Sequence, residues 1–299
     1  SKGYLFYRGI GDQVDFIRGA AMSKGGFSII ALPSTAQNDE VSRIVPHLSE
    51  GAGVATTRGD VDIVVTEYGI AELHGKGIYQ RVMELAQIAH PKFREELIHE
   101  AKKRHYIFND QLPPTKQDLI FLENYKTYLS LPNGKDVEFR PLLPSDEFAS
   151  RNFYYSLQEN TIYFRFFNMR KVFSREMLQQ QWASVDYRKN MTIIGLVQRG
   201  KHKEIVAIGS YAKADEETAE VAFVVKEAYQ NQGIGTYLVQ TLEMIAKENK
   251  YTAFTATVLS ENTNMIHVFQ KCYPNAKLKR SGGGDVEISM PFDSEKANP

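Results

Sequence analysis

The most informative stretch of this 299-residue chain is Gln230-Asn231-Gln232-Gly233-Ile234-Gly235. It directly follows an apolar run at 219–225 and precedes apolar residues at helical spacing over 233–248. Glycines leave backbone N–H groups uncovered, and the positive end of a helix dipole attracts anions. The loop therefore suits a pyrophosphate group and needs no basic side chain. A helix-start turn explains Gly-x-Gly alone equally well, so the surrounding order of elements decides between the two interpretations.

The segments around this loop predict a domain rich in strands. Turn-like residues at 131–135 favour a domain boundary there, dividing the chain into 1–133 and 134–299. Strands are expected at 137–140, 191–198, 204–212, 219–225 and 252–258, helices within 145–183 and at 233–248 and 262–272, and a hairpin turn at 282–285. Because strands outnumber crossover helices, the fold class expected is α+β, with a mixed, largely antiparallel sheet and flanking helices.

The order strand, loop, helix, strand and Asn resembles the GNAT superfamily of acyl-CoA-dependent N-acetyltransferases over about residues 137–292. In that family the loop reads Gln/Arg-x-x-Gly-x-Gly/Ala. Residues 163–167 and 219–223 are similar to stretches of bacterial protein-lysine acetyltransferases of this superfamily. Taken alone, the aromatic residues of 163–167 are expected to be core.

The resemblance implies acetyl-CoA or coenzyme A as the cofactor and an amine as the acceptor, either a small molecule or a protein lysine. In the family, the strand before the loop carries a bulge and pairs with the pantetheine arm, the loop amides hold the pyrophosphate, and an Asn after the next strand lies nearby. The cofactor-binding residues implied here are Phe223, Val224, Val225, Gln230, Asn231, Gln232, Gly233, Ile234, Gly235, Thr236 and Asn262. A helix cap is the alternative role for Asn262.

Glu220 is the candidate catalytic base. Acetyl transfer requires the acceptor ammonium to lose a proton, and strand alternation puts Glu220 on the face of Ala222 and Val224, beside the implied cofactor strand. The alternative is a solvated glutamate at a strand end. Many family members protonate the leaving thiolate with a Tyr, but Phe269 stands at that position, so water or Tyr273 would have to replace it. No metal is expected in this chemistry.

The first half alternates strands and helices, which predicts an α/β layer structure. Strands are expected at 27–32 and 61–66, and helices over 79–104 with a second helix starting at Pro91. Residues 115–130 are interpreted as a connector with a short helix.

Five stretches of this half, at 9–16, 23–27, 43–46, 65–73 and 89–97, together resemble the C-terminal domain of the acetyl-CoA hydrolase/4-hydroxybutyrate CoA-transferase family. The match covers about residues 5–104 and implies a possible second CoA site at Gly9, Gly11 and Lys24. Asp12 replaces a family glycine, and its charge would repel CoA phosphate.

In that family a glutamate acts as nucleophile from a segment N-terminal to the matched stretches. Glu67 matches a later Thr-Glu-x-Gly stretch instead, so a structural role is expected for it. The resemblance therefore makes an N-terminal CoA-transferase half in a longer parent protein a possible partner.

The overall composition excludes several classes of protein. Thirty-six Lys and Arg balance thirty-six Asp and Glu, so no global field favours nucleic acid or an anionic membrane. Cys272 is the single cysteine, which excludes an internal disulfide, and no apolar run approaches the roughly 18 residues of a membrane span. A cytoplasmic enzyme is expected.

Two alternatives to an acyl-CoA-dependent N-acetyltransferase remain open. In the first, the working enzyme is a CoA-transferase or acetyl-CoA hydrolase completed by another segment, and the GNAT half senses acyl-CoA or regulates that enzyme. In the second, the GNAT half only binds acyl-CoA, and Phe269 in place of the Tyr gives this alternative weight.

Overall fold

The computed structural model of the chain describes residues 12–48, 50–114, 124–174, 176–177, 189–199, 202–280 and 283–292. The chain divides into two compact units, Ser1–Asn124 and Tyr125–Pro299. This division lies before the boundary expected at 133 because residues 127–130 form a strand that pairs within the second unit. Residues 131–135 are instead the turn that joins this strand to the next.

The first unit is an α/β structure built on a three-stranded sheet. Its elements are α1 (Gln13–Met22), β1 (Ile29–Ala31), β2 (Thr35–Ala36), β3 (Val41–Ser42), β4 (Ile63–Thr66), β5 (Gly69–Glu72), α2 (Ile78–Ile88) and α3 (Pro91–Lys103). The sheet has the order β1-β4-β5, with β1 parallel and β5 antiparallel to β4. The expected helix start at Pro91 is confirmed, and His90 caps that helix by accepting from the amide of Lys92.

One face of this sheet carries the core of the first unit. Val64, Thr66 and Ala71 are buried there, and the Thr66 hydroxyl donates to the carbonyl of Ile88 at the end of α2. On the opposite face, Ile29 and Ile70 are 59% and 50% exposed. Strands paired in parallel are usually covered on both faces, so this apolar face is unusual.

The second unit is built on an eight-stranded sheet. Its elements are β6 (Thr127–Ser130), β7 (Asp136–Pro141), α4 (Glu147–Tyr155), α5 (Glu159–Phe166), β8 (Asn190–Arg199), β9 (His202–Lys213), β10 (Thr218–Val225), α6 (Ile234–Glu248), β11 (Ala253–Leu259), α7 (Thr263–Cys272), β12 (Lys277–Arg280) and β13 (Asp285–Pro291). The strand order is β12-β13-β11-β10-β9-β8-β7-β6. Every neighbouring pair is antiparallel except β10 and β11, which confirms the mixed, largely antiparallel sheet.

The one parallel pair separates partway along its length. β10 and β11 are paired at three positions, the last of which joins Glu220 to Thr255. Beyond it β10 continues to Val225 and stays paired with β9, whereas β11 continues to Leu259 beside β13. The two central strands therefore splay apart, and one edge of β10 is left open from Val221 onward.

Helices cover the sheet around this splay. On the β10 face that carries Phe223, the first turn of α6 packs closely, since a Cβ on Gly235 would lie 3.0 Å from the Phe223 ring. Helix α7 reaches the same ring through Phe269. No helix in the described part of the chain has the length and apolar composition needed to cross a bilayer.

Candidate functional site

A cleft of about 520 Å³ opens where β10 and β11 separate. The end of β10, the loop after it, the first turn of α6, helix α7 and helix α5 form its walls. Of the residues implied as cofactor-binding, all but Gln232 line this cleft, namely Phe223, Val224, Val225, Gln230, Asn231, Gly233, Ile234, Gly235, Thr236 and Asn262. Residues implied by a sequence motif are thus brought to one concave surface.

The loop before α6 has a backbone that only certain residues adopt easily. Asn231 and Gly233 have φ values of 58° and 86°, in the left-handed region that glycine tolerates without strain and Asn better than most other residues. Two side-chain amides hold the loop in shape: Gln230 Nε2 donates to the Val225 carbonyl at 2.9 Å, and Gln232 Nε2 donates to the Ala228 carbonyl at 3.0 Å. Gln232 therefore shapes the loop from outside the cleft.

The first turn of α6 presents amide groups to the cleft. Tyr237 is the first residue whose N–H bonds back along the helix, to the Gly233 carbonyl at 3.0 Å. The amides of Ile234, Gly235 and Thr236 precede that bond, so no helical carbonyl accepts from them. Together with the positive end of the helix dipole, these amides form a surface suited to a phosphate group.

The open edge of β10 forms a second wall of the cleft. Phe223, Val224 and Val225 are paired with β9 on one side only. Backbone groups on a free strand edge can pair with an extended ligand as another strand would. The bulge that the resemblance led us to expect in this strand is absent: pairing of β10 with β9 runs without a shift from Ala219 to Val225, and the irregularity lies between Gly195 and Leu196 of β8.

Glu220 lies where the two strands part, outside the set of residues that line the cleft. It is opposite Ala212 of β9 and Thr255 of β11, and it is exposed. An exposed carboxylate at this vertex can accept a proton from a group that enters the splay from solvent. This placement suits both roles considered for Glu220, a catalytic base and a solvated glutamate.

Helix α7 contributes a cap and a packed ring. Asn262 is its N-cap residue, and its side-chain oxygen accepts from the Met265 amide at 3.2 Å, so the capping role is present in a residue that also lines the cleft. Phe269 is 1% exposed, and its ring stands edge-on to Phe223 at 5.6 Å. The Tyr273 ring packs near Phe292, away from the residues lining the cleft, and burial raises its pKa.

The sequence analysis missed the wall formed by α5. Thr161, Phe164 and Arg165 of this helix line the cleft. The expectation that the aromatics of 163–167 are core was wrong, because Ile162 is the buried residue of the helix and the aromatics are half-buried or exposed. Their pattern signalled a resemblance to acetyltransferases but gave no sign that they face a cleft.

Helix α7 also carries cleft residues that the sequence analysis did not assign. They are Asn264, Met265, His267, Val268 and Lys271. Spacing of three and four residues along a helix could have indicated one shared face, because Asn264, His267, Val268 and Lys271 follow it.

In the first unit, the residues singled out do not form a comparable site. Gly9 and Gly11 lie outside the described residues, and Lys24 is exposed. Glu67 accepts hydrogen bonds from the Ser34 amide at 3.1 and 2.9 Å and from its hydroxyl at 2.5 Å. Desolvation alone would raise the pKa of Glu67, but these bonds outweigh it and lower the pKa. The Glu67 carboxylate is therefore held by hydrogen bonds from Ser34 within the first unit.

Comparison with protein families gives two matches along the chain. Residues 1–101 match the model of the acetyl-CoA hydrolase/transferase C-terminal domain, and residues 157–272 match that of the acetyltransferase (GNAT) family. The second match includes α5, the loop and all of α7, so it contains every element that forms the cleft.

Individual relatives, like the family models, each match only part of the chain. A 4-hydroxybutyrate coenzyme A transferase of Clostridium kluyveri is 62% identical over 96 residues, which are 32% of this chain and 22% of that protein. An acetyltransferase of Pseudomonas aeruginosa is 32% identical over 123 residues, which are 41% of this chain and 66% of that protein. The chain thus spans only about a fifth of the transferase.

Among solved structures, the GNAT domain of S. lividans PAT matches 56% of this chain and 98% of its own length, with a TM-score of 0.51 and 24% identity. At 24% identity, this match is evidence of a shared fold. It supports the assignment of the eight-stranded unit to the GNAT fold.

Proposed function

Since residues 157–272 belong to the acetyltransferase (GNAT) family and residues 1–101 to the acetyl-CoA hydrolase/transferase C-terminal domain family, we propose that this chain transfers acetyl groups to amines. The donor is acetyl-CoA or another short acyl-CoA. The acceptor is the amino group of a small molecule or of a protein lysine. A cytoplasmic location, expected from the composition, stays a prediction.

The observation that carries this proposal is the joining of a phosphate-binding loop to a free strand edge in one cleft. The amides of Ile234, Gly235 and Thr236 suit the pyrophosphate of CoA, and the open edge of β10 suits its pantetheine arm. An extended arm lying along β10 from the loop toward Glu220 would bring the thioester to the vertex of the splay. The geometry therefore supports a ligand with a phosphate head and an extended amide-bearing tail.

In the proposed reaction the acceptor amine attacks the thioester carbonyl directly. Glu220 accepts the proton that the ammonium must lose, and the neutral amine forms the new C–N bond. The nitrogen gives its second proton to water as the C–S bond of the tetrahedral intermediate breaks. The CoA thiolate then takes a proton from water, because Phe269 has no hydroxyl to donate and Tyr273 is not among the residues that line the cleft. This chemistry requires no metal.

A second function is favoured by the exposed apolar face of the first unit. Ile29, Ala31 and Ile70 share this face, opposite the face that contacts α2. We propose that the remaining part of a CoA-transferase fold, in the same polypeptide or another, covers it. In that assembly a CoA-transferase or acetyl-CoA hydrolase would act in the first half, while the second half acetylates amines or senses acyl-CoA.

The proposal is tested by incubating the chain with acetyl-CoA and a panel of small amines and lysine peptides. We expect release of free CoA thiol that depends on the amine, together with an acetylated amine detected by mass spectrometry. Acetyl-CoA binding without turnover on any amine would favour the sensor function. Thiol release that does not depend on any amine would favour the hydrolase.

A further inference from the structure

A hydrogen bond joins the turn before the 230–236 loop to helix α5, and both elements line the cleft. The Gln158 amide donates to Glu227 Oε1 at 2.8 Å, joining residues 69 positions apart in the sequence. Glu227 begins the short 3₁₀ turn before the loop, and Gln158 is the N-cap residue of α5. Both residues line the cleft. The contact thus links two walls of the cleft that are distant from each other in the sequence.

The two ends of α5 are held in different ways. At the C-terminal end, Phe166 packs against the rings of Tyr154 and Phe173 at 5.7 and 5.6 Å. At the N-terminal end, Gln158 and Glu159 are exposed, and the Glu227 carboxylate accepts the N-cap amide. A carboxylate at this end of a helix is also favoured by the helix dipole. The Glu227 carboxylate therefore holds the first turn of α5, while the buried Ile162 anchors the middle of the helix.

Glu227 is tied to the loop through its backbone as well. Its carbonyl accepts from the Gln230 amide at 3.1 Å, and Gln230 in turn holds the Val225 carbonyl. A ligand that immobilises the loop would restrain Glu227, and through its carboxylate would restrain α5.

We propose that Glu227 is a positioning residue through which donor binding at the loop fixes α5, a wall of the same cleft. This inference rests on the proposed acetyl-CoA site. With the donor bound, the cleft residues Thr161, Phe164 and Arg165 on α5 would be held in place. The negative charge of the Glu227 carboxylate should at the same time weaken acetyl-CoA binding, because it repels the phosphates of the ligand.

Two variants separate these effects. Glu227→Gln keeps an oxygen that accepts from the Gln158 amide and removes the charge, whereas Glu227→Ala removes both. Glu159→Ala is the matched control, since it removes an exposed acid in the first turn of α5 and leaves the link intact. Hydrogen–deuterium exchange of the full chain, with and without acetyl-CoA, reports on α5 and on the loop separately.

Without ligand, we expect residues 157–166 to exchange at least three-fold faster in Glu227→Ala than in the wild type, with Glu227→Gln and Glu159→Ala unchanged. Exchange in β9 should be the same in all four proteins, which distinguishes a local release of α5 from general destabilisation. Equal exchange of residues 157–166 in Glu227→Ala and the wild type would overturn the inference. This comparison holds whether or not acetyl-CoA binds.

With acetyl-CoA, we expect slower exchange in both the 230–241 and the 157–166 segments of the wild type. In Glu227→Ala the slowing at 230–241 should persist while that at 157–166 falls at least three-fold. Glu227→Gln should bind acetyl-CoA at least as tightly as the wild type. Retained slowing at 157–166 in Glu227→Ala contradicts the proposed coupling. Absence of slowing at 230–241 in the wild type contradicts the acetyl-CoA site instead.

Discussion

The two units of this chain match the models of two families that use CoA, and they differ in how completely each presents a site. The first unit is the more similar to its named relatives, yet its one suggestive carboxylate, Glu67, is held by Ser34. The second unit is less similar to its relatives, yet nearly all the residues implied as cofactor-binding meet in one cleft. High identity over part of a protein therefore does not by itself identify the residues of its active site.

The physical reason for this difference is where along the chain the residues of each site lie. The cleft of the second unit is built from one continuous segment, residues 223–236, and from helices packed beside it. The surface proposed to bind phosphate consists of backbone amides, whose placement depends on local geometry. For the first unit, the resemblance implies a nucleophile outside the stretches that match, so the match over residues 1–101 does not report on that group.

The largest effect is expected at the vertex of the splay. Glu220→Gln should lower kcat by about 10²–10⁴-fold and leave acetyl-CoA affinity nearly unchanged, because it removes the base and keeps the shape. The loss should shrink as pH rises, since more acceptor amine is already deprotonated. Steady-state rates between pH 6 and 9 on an amine that the wild type acetylates measure this. Glu217→Gln, an exposed acid before the same strand, is the control, and wild-type rates in Glu220→Gln would move the search for a base to His267 or Glu261.

Donor binding should be nearly as sensitive to the loop. Gly233→Asp puts a side chain on a residue with φ of 86° and a negative charge among the phosphate-binding amides, so acetyl-CoA affinity should fall by about 100-fold or more. Isothermal titration calorimetry measures the affinity. Gly134→Asp has a similar φ of 78° in the turn between β6 and β7, so it carries comparable strain and charge away from the cleft. Equal losses in both variants would mean that strain, and not the ligand site, explains the effect.

A smaller effect is expected where the second unit begins. The Tyr125 hydroxyl donates to Glu248 Oε2 at 2.7 Å at the end of α6, and Tyr125→Phe should destabilise this unit by about 1–2 kcal/mol. Burial and Glu248 raise the pKa of Tyr125 to about 12. Because the folded pKa is raised, the contribution is present below the ordinary value of 10 and is lost as pH rises toward 12. Chemical denaturation at pH 8 and pH 11.5 should show a smaller difference between Tyr125→Phe and the wild type at the higher pH.

The smallest effect is expected at Glu67. Glu67→Ala should destabilise the first unit by about 1 kcal/mol after allowance for screening by solvent, and it should leave amine acetylation unchanged. Since the pKa of Glu67 is lowered in the folded chain, this stabilisation is present above the ordinary value of 4.5 and is lost as pH falls below it. Urea denaturation at pH 7 and pH 3.5 measures the difference. A glutamyl-CoA thioester at Glu67, trapped with borohydride, would instead make Glu67 a nucleophile.

The sequence predicted the parts of the site that are local. Gly233 and the apolar spacing of α6 are readable because a loop and the helix that follows it are neighbours in the chain. The strand at 127–130 was missed because it is only four residues long and exists through its pairing with β7. The hydrogen bond between Gln158 and Glu227 could not be predicted either, because folding alone brings these two distant segments together. Phe164 and Arg165 look like ordinary helix residues, and the helix pattern does not show that they face a cleft.

A crystal structure of the chain with bound acetyl-CoA tests the central claim most directly. The account predicts density for the pyrophosphate at the amides of residues 230–236, the pantetheine arm along the open edge of β10, and the thioester near the last pairing of β10 with β11, at Glu220 and Thr255. Acetyl-CoA held by the first unit, or lying in the second with its thioester far from Glu220, would contradict it.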